Sequence, residues 1–469
     1  MKTRAWGPIL ALLAGCAVGP DYEKPELPHP ATWNGTDPAK TAPGTADLGR
    51  WWTVFQDPRL DSLIERAVRS NLDLRAAASR IREARAQFGV TASRLMPSVD
   101  ATGSYTRSRT SENSFFGTGP FARYRDDTQA GFETIWEIDL FGGGRRGYEA
   151  AVADIDASVE DRRAVLVSLL GEVAHAYVTV RGLQRQLAVL RANGRGVQET
   201  VDLTKARLAA GVATALDVAR SEAMLAAGFS LIPGTEASLR QAIHRLGVLL
   251  GEEPGALLGE LSAEAPIPAA PARVLVGLPS DLLSRRPDVR RAERQLAAAT
   301  ARIGVATAEL YPRVSLSGAF GLDSIGSADF ISWGSRVLSL GPSLRWPIFA
   351  GGRVRANIRI QDARAEQAAL AYERAFLGAL EEVENGLVAY LREGDRRRLL
   401  EEEAAADRRA VDLADDLYRK GLASFLEVLD ARRAMYAAES ALAQSEAAVT
   451  LDLVLLYKAL GGGWETEPR

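Results

Sequence analysis

Few residues in this chain are of types and spacings that could do covalent chemistry. The three histidines, His29, His175 and His244, are scattered, and the single cysteine, Cys16, can form no intrachain disulfide. Together they cannot build a zinc centre of the usual Cys/His kind. No His-Glu-x-x-His, Gly-x-Ser-x-Gly or phosphate-binding Gly-Lys-Ser/Thr sequence occurs, so catalysis has no motif to stand on. Gly142-x-Gly144-x-x-Gly147 matches the spacing of a dinucleotide-binding loop and sits between a strand pattern and a helix pattern. A Rossmann unit needs a crossover helix of ordinary length, whereas the pattern here runs on for about 67 residues. These glycines are therefore read as allowing a sharp strand-to-helix turn. The remaining chemistry is charge. In Tyr418-Arg-Lys-Gly421-Leu-Ala-Ser-Phe-Leu426-Glu427-Val-Leu-Asp430, the carboxylates of Glu427 and Asp430 share one helix face, and Arg433 follows a turn later. In a monomer such charges form a solvated face. If copies converged around an axis, each would bring two carboxylates to a narrow mouth, where desolvation and repulsion raise their pKa and attract cations or arginine.

The elements that would position those residues begin from composition. The chain of 469 residues is 47% apolar and 25% charged, which is a folded protein's balance. A net charge of −3 gives no basic field for nucleic acid. Lys2 and Arg4 precede an apolar run from Trp6 to Leu13, the n-region and h-region of an export signal (residues 1–15). The run ends in Leu13-Ala14-Gly15-Cys16, which resembles the lipobox of bacterial lipoproteins. That resemblance makes Cys16 an acylation site, with two or more chains for stable anchoring, and Ala17 after it implies sorting to the outer membrane. Residues 16–56, rich in proline, read as an extended tether along the outside of the folded body. Beyond the signal no window is continuously apolar over 18 residues, so any bilayer span must be made of β-strands.

The chain repeats itself. Asp73-Leu-Arg through Gly103 matches Asp288-Val-Arg through Gly318 at an offset of 215, and Gly211-Val-Ala-Thr through Val218 matches Gly421-Leu-Ala-Ser through Val428 at 210. The first repeat spans 57–250 and the second 287–462, with a Pro/Gly-rich belt at 251–286 between them and a tail at 463–469. Each repeat opens with a helix (Asn71–Leu95, Pro287–Leu310) stopped by Pro97 or Pro312. Two strand patterns follow in each, Ser98–Arg109 with Thr128–Leu140 and Val314–Leu322 with Val337–Ile348. Neither pair reads as strongly apolar on one face. Proline-free helical patterns then run over Arg145–Ala210 and Arg353–Lys420, and each returns after Gly211 or Gly421 as an apolar-periodic helix. Pro233-Gly234 is expected to kink or break the first return helix. Aromatic residues, among them Tyr105, Phe115, Phe116, Phe121, Phe132, Trp136, Phe320 and Trp346, gather around the strands. They suit either a headgroup-depth girdle or ordinary packing in a soluble sheet. Four strands cannot close a barrel, so strands that cross a membrane require several chains to share one.

Gly15-Cys16-Ala-Val-Gly-Pro-Asp-Tyr22, Trp51-Trp52…Asp57-Pro-x-Leu60, Leu283-Ser-Arg-Arg-Pro-Asp-Val-Arg-Arg-Ala-Glu293, Arg245-Leu-Gly-Val-Leu-Leu-Gly251 and both hairpin turns resemble the TolC-like outer-membrane efflux channels. The likeness is greatest to their NodT-type lipoprotein branch, and it extends over residues 12–462. The resemblance implies a mainly α fold with a membrane β part. Duplicated helical hairpins would form a trimeric α-helical tube, and four strands per chain would enter a shared 12-stranded β-barrel. It implies a homotrimer in the cell outer membrane, lipid-anchored and reaching into the periplasm. That trimer would meet a periplasmic adaptor (membrane fusion) protein and an inner-membrane pump of the resistance-nodulation-division class, and conduct drugs, toxic compounds or metals without cofactor or chemistry. Carried over by position, Leu426 would be an apolar constriction, Glu427 and Asp430 acidic rings and Arg433 a basic ring, while Asp217 with Tyr418 would tie neighbouring helices shut. Ala423 stands where some relatives carry a tying arginine. The tips Gly211, Val212, Ala213, Thr214 and Gly421, Leu422, Ala423, Ser424 would contact the adaptor, and Tyr105, Phe132, Trp136, Phe320 and Trp346 would line the membrane interface. A coiled-coil adaptor and an NAD-linked enzyme are the alternative classes; neither accounts for two hairpins each preceded by a strand pair.

Overall fold

In the computed structural model the chain runs through β1 (Thr41–Ala42), α1 (Pro58–Ser70), α2 (Leu72–Ser93), β2 (Ser98–Arg109), β3 (Tyr124–Ile138), α3 (Gly143–Ala209), α4 (Ala215–Leu249), β4 (Val274–Leu275), α5 (Leu282–Arg285), α6 (Pro287–Ala308), β5 (Arg313–Ile325), β6 (Arg336–Arg345), α7 (Arg353–Arg419) and α8 (Phe425–Ala459). The structure describes residues 17–37, 41–42, 48–111, 113, 124–271, 273–326 and 328–466. The signal segment, Cys16, Phe115, Phe116 and Phe121 lie outside the described residues. The duplication is kept in the helix lengths: α2 and α6 have 22 residues each, α3 and α7 have 67, and α4 and α8 have 35.

By contact the chain divides into two compact units, and each draws on both repeats. The first takes Met1–Glu26, Arg80–Val159 and Arg291–Tyr372; the second takes Leu27–Ser79, Glu160–Arg290 and Glu373–Arg469.

The first unit holds a four-stranded antiparallel sheet in the order β2-β3-β5-β6. Its register overturns the expectation that no face is strongly apolar. One face carries Val99, Ala101, Phe132, Val314, Leu316, Phe320, Leu338, Leu340 and Leu344; the other carries Asp100, Thr102, Gln129, Glu133, Ser315, Ser317, Ser339 and Ser343, with Ile135 and Val337 among its large apolar members. Glycine, alanine and threonine dilute this face in β2 and β3, whereas β5 and β6 alternate on their own, and the register joins all four strands into one face. Strand β3 starts four residues before the expected Thr128, because Arg107 opposite Asp126 and Arg109 opposite Tyr124 extend the ladder. Pro342 is accommodated because β6 is an edge strand. Trp136 Nε1 donates to the Leu95 carbonyl (2.9 Å) and Trp346 Nε1 to that of Leu310 (3.0 Å), so each repeat pins the end of a strand to the end of its first helix.

The residues after Cys16 dock onto this unit. Val18 N donates to Phe141 O (3.2 Å), and the guanidinium of Arg146 donates to Val18 O (3.2 Å), Gly19 O (3.3 Å) and Asp21 (2.6 Å). Gly19 has φ +94°, and a Cβ there would lie 2.4 Å from the Gly304 Cα.

The second unit has the larger core, built on Trp51, Leu60, Leu63, Ile64, Tyr177 and Leu246. The tether enters it rather than running outside. Trp33 is only 4% exposed and donates to Gly277 O, and β1 pairs in parallel with β4 of the belt. Helix α1 was not expected, although its signal is plain: Asp57 accepts from Arg59 N (2.8 Å) and Leu60 N (3.2 Å), and Pro58 opens the first turn. Pro233 does not break α4, which continues through it. Pro233 lies on an exposed face, where the carbonyl it leaves without an N–H partner can be solvated. Among the described residues α3 alone is long and apolar enough by composition to cross a bilayer, but 61% of that window is buried inside the protein, so it serves as core.

Candidate functional site

The hairpin tips are two copies of one structure. Gly211 (φ +75°) and Gly421 (φ +74°) end α3 and α7 in the left-handed region that glycine adopts without strain. In each, two reversed bonds close the helix end: Val212 N to Arg207 O with Gly211 N to Leu208 O, and Leu422 N to Leu417 O with Gly421 N to Tyr418 O. The return helices open on capping boxes. Asp217 accepts from Thr214 N (3.0 Å) and Oγ1 (2.7 Å) while Thr214 Oγ1 accepts from Asp217 N; Glu427 accepts from Ser424 N (3.0 Å) while Ser424 Oγ accepts from Glu427 N. Within one chain, then, the carboxylates of Asp217 and Glu427 cap their own helices.

Four of the residues assigned to a gate fall on one side of α8, while Asp217 lies on α4 and Tyr418 on α7. Leu426 (45% exposed), Glu427, Asp430 and Arg433 point outward, while Phe425, Val428 and Leu429 are buried. Arg433 stands 3.8 Å from Asp430, an exposed pair of little energetic weight. Tyr418 turns inward. Its ring lies 5.5 Å from that of Phe425, the Arg207 guanidinium sits 4.2 Å above it, and it packs on Val197, Val201, Met224, Phe425 and Leu429. Burial, with a contribution from the Asp217 charge, raises its pKa against the lowering effect of Arg207, so Tyr418 stays a neutral hydroxyl. The tip residues Gly211, Val212, Thr214, Gly421, Leu422 and Ser424 are exposed, and Ala213 and Ala423 half-buried.

Two features escaped the sequence reading. Leu216 is the repeat counterpart of Leu426 and is also exposed; the offset of 210 was the available signal. Arg432 pairs with Asp415 (2.7 Å) and donates to Gly196 O (3.3 Å), joining α8 to α7 and α3 just above the tips. Nothing in Asp415-Asp416 or Arg432-Arg433 distinguishes the packed member of each doublet from the solvated one.

The sheet of the first unit is the second candidate surface. Along β6 and just beyond it, the residues of the apolar face are Arg336, Leu338, Leu340, Pro342, Leu344 and Trp346. Ten residues span roughly 34 Å along a strand, or about 25 Å of height at the usual tilt, which matches the apolar band of a membrane barrel. Trp136 and Trp346 stand at the helix-proximal edge of the apolar face. Tyr105, Phe132 and Phe320 instead lie within it, Phe132 directly opposite Phe320, because the strand rise carries them several residues above the tryptophans. Strands β2 and β6 leave open edges. In the second unit, Leu377, Leu399, Leu413 and Leu417 of α7 are 42% to 65% exposed on one side of the helix, interspersed with Glu381, Asp395 and Glu402, while Gly35 of the tether lies against Val388.

The family model described as "Outer membrane efflux protein" matches residues 63–252 and 278–462. Nodulation protein T of Rhizobium leguminosarum bv. trifolii is 34% identical over 98% of each chain, and the pyoverdine export outer membrane protein OpmQ of Pseudomonas aeruginosa is 35% identical over 97% of this chain and 96% of its own. The solved outer-membrane channel OprN superposes with a TM-score of 0.88 at 36% identity, covering 96% of this chain and all (100%) of that one.

Proposed function

The chain belongs to the outer membrane efflux protein family, and from that premise we propose how its own residues build the duct. It is an outer-membrane efflux channel that extends into the periplasm. Three copies join, β6 of each meeting β2 of the next, to close a barrel of twelve strands around the polar face of the sheet. The observation that carries this reading is the four-stranded sheet with one apolar face and two open edges. Four strands are half of what the smallest single-chain barrels use, about eight, and lipid satisfies no backbone group at an open edge. The exposed leucines of α7, Leu377, Leu399, Leu413 and Leu417, supply contacts between subunits in the helical part.

Solutes move through this duct passively, delivered by an inner-membrane pump of the resistance-nodulation-division class through an adaptor seated on tips 211–214 and 421–424. Leu426, with Leu216 beside it in the repeat, narrows the periplasmic end. Asp430 and Arg433 face the axis, whereas Glu427 and Asp217 act first as caps, so that opening can proceed by swinging intact helices. Tyr418 holds the two hairpins of one chain together through Arg207 and Phe425. Acylated Cys16 tethers the protein to the membrane.

The test is the mass of the purified particle in detergent followed by conductance in planar bilayers. A trimer that conducts is expected, and a monomer released without detergent would sink the reading. Within a conducting trimer, Leu426→Ser is expected to raise the current several-fold, and Asp430→Asn to weaken block by a trivalent cation applied from the tip side. Unchanged conductance and block in both variants would remove these residues from the gate while leaving the channel intact.

A further inference from the structure

On the membrane reading above, the apolar face of the sheet ends, away from the helices, in arginine. Arg107 and Arg109 of β2 follow Tyr105 on the outward face, and Arg336 begins β6 on the same face. Arg107 lies 3.5 Å from Asp126, and both Arg107 and Arg109 approach the Tyr124 ring, at 5.7 and 5.8 Å. Arg336 stacks on the ring of Trp333, which is 82% exposed, and donates to its carbonyl (3.0 Å).

The internal repeat shows where these groups meet. Residues of β2 recur 215 positions later in β5 and those of β3 recur 210 positions later in β6; the paired bonds Trp136 to Leu95 and Trp346 to Leu310 keep both offsets. Inside one chain β3 meets β5 with Phe132 opposite Phe320. The same ladder between β6 and the next subunit's β2 sets Leu338 opposite Arg109 and puts Arg336 one outward rung beyond. Each subunit seam then gathers Arg336 with Arg107 and Arg109 of the partner subunit. Within a chain the corresponding join of β3 to β5 offers Asp126 and Leu322 instead. Each seam thus brings three guanidinium groups to the outward face, that of Arg107 paired with Asp126.

Arginine facing lipid is tolerable only near the interface, and these lie about 25 Å from the tryptophan edge, at the depth of the outer-leaflet headgroups. Guanidinium forks bind phosphate oxygens in bidentate fashion, and exposed Trp333 beside Arg336 offers a flat apolar surface to a sugar ring or acyl stem. We propose that the three seams of the trimer are binding sites for a bis-phosphorylated glycolipid of the outer leaflet, its phosphates held by Arg336 of one subunit and Arg107 and Arg109 of the next.

Native mass spectrometry of the conducting trimer with added lipid A tests this, using monophosphorylated lipid A and phosphatidylglycerol as comparisons. Wild type is expected to retain up to three molecules of the bis-phosphorylated lipid in preference to both comparisons. Arg107→Gln/Arg109→Gln/Arg336→Gln should weaken retention roughly tenfold or more, and the single Arg336→Gln part of the way. Arg313→Gln/Arg345→Gln, on the opposite face, should retain it like wild type. A conducting trimer in which the triple variant binds lipid A as tightly as wild type, or in which phosphatidylglycerol binds equally well, overturns the assignment alone. A particle that neither inserts nor conducts overturns the channel premise beneath it.

Discussion

Replacing Arg286 with alanine is expected to destabilise the second unit by about 3 kcal/mol, the lower end of the range for breaking a buried ion pair. Arg286 is the second arginine of the Arg-Arg-Pro-Asp run, and its side chain is only 10% exposed. Its Nε and Nη2 donate to the two oxygens of Asp288 (3.0 and 2.7 Å), and its Nη1 donates to Glu382 (2.6 Å) and the Ala459 carbonyl (2.9 Å). One planar group thus ties the start of α6 to α7 and to the end of α8. Alanine would strand the Ala459 carbonyl and strip Asp288 of its fork; Asp288, 34% exposed, would recover water in part and Glu382, 60% exposed, more fully, which is why the lower end applies. Lysine should restore only part of the loss, since it keeps the charge but not the fork. Thermal unfolding in detergent reads both variants, and an alanine variant as stable as wild type would refute the account. The pair also sets an acid limit. Burial acts to raise the Asp288 pKa, but the bonds and charge of Arg286 outweigh it and hold the carboxyl below its usual value. A depressed folded pKa contributes stability above the unfolded value, near 3.9, that is lost as pH falls through the folded value. The difference between wild type and Asp288→Asn should therefore shrink as pH drops below about 4.

Gly321→Val should have the larger consequence of losing the assembled channel. Gly131 and Gly321 face each other across β3 and β5. A Cβ on Gly321 would lie 2.5 Å from the Ala130 carbonyl oxygen and 2.7 Å from the Gly131 Cα; one on Gly131 would lie 2.7 Å from the Phe320 oxygen. All of these neighbours are backbone, so nothing can rotate aside and the strands must part. The ladder they form is the only join between the strand pairs of the two repeats among the described residues, and its rupture leaves hairpins with unsatisfied edges in lipid. The expected result is no trimer in the outer-membrane fraction and no conductance. Gly103→Val is the control: its nearest neighbour would be 3.9 Å away, and it should assemble normally. Equal trimer yields from the two variants would contradict this.

The helical half of the molecule was legible because it is written locally. Sixty-seven residues without proline, closed by glycine, specify a long helix and its end, and α3 and α7 start and stop within about two residues of that expectation. The sheet was legible as strands but not as a surface, since a face shared among Val99, Phe132, Phe320 and Leu340 exists only in the register. The candidate gate was half legible. Ser424-x-x-Glu427 and Thr214-x-x-Asp217 are capping-box sequences, yet the resemblance assigned Glu427 to an acidic ring and Asp217 to a tie with Tyr418, and the capping role of both acids was passed over. Arg432 with Asp415 was not legible at all, since adjacent like residues are separated only by tertiary contact.

The docked segment after Cys16 bears on how the protein can move in its membrane. Val18 is bonded to Phe141 at the helix-proximal end of the sheet, and Cys16 precedes it by two residues. Two residues of extended chain reach roughly 7 Å. With Cys16 acylated, the fatty chains enter the bilayer beside the barrel wall and cannot trail away from it. A long leash lets a protein leave its patch of lipid while still attached; with Cys16 acylated, a leash this short would make the acyl chains part of the barrel's own annulus, fixed wedges that turn with it.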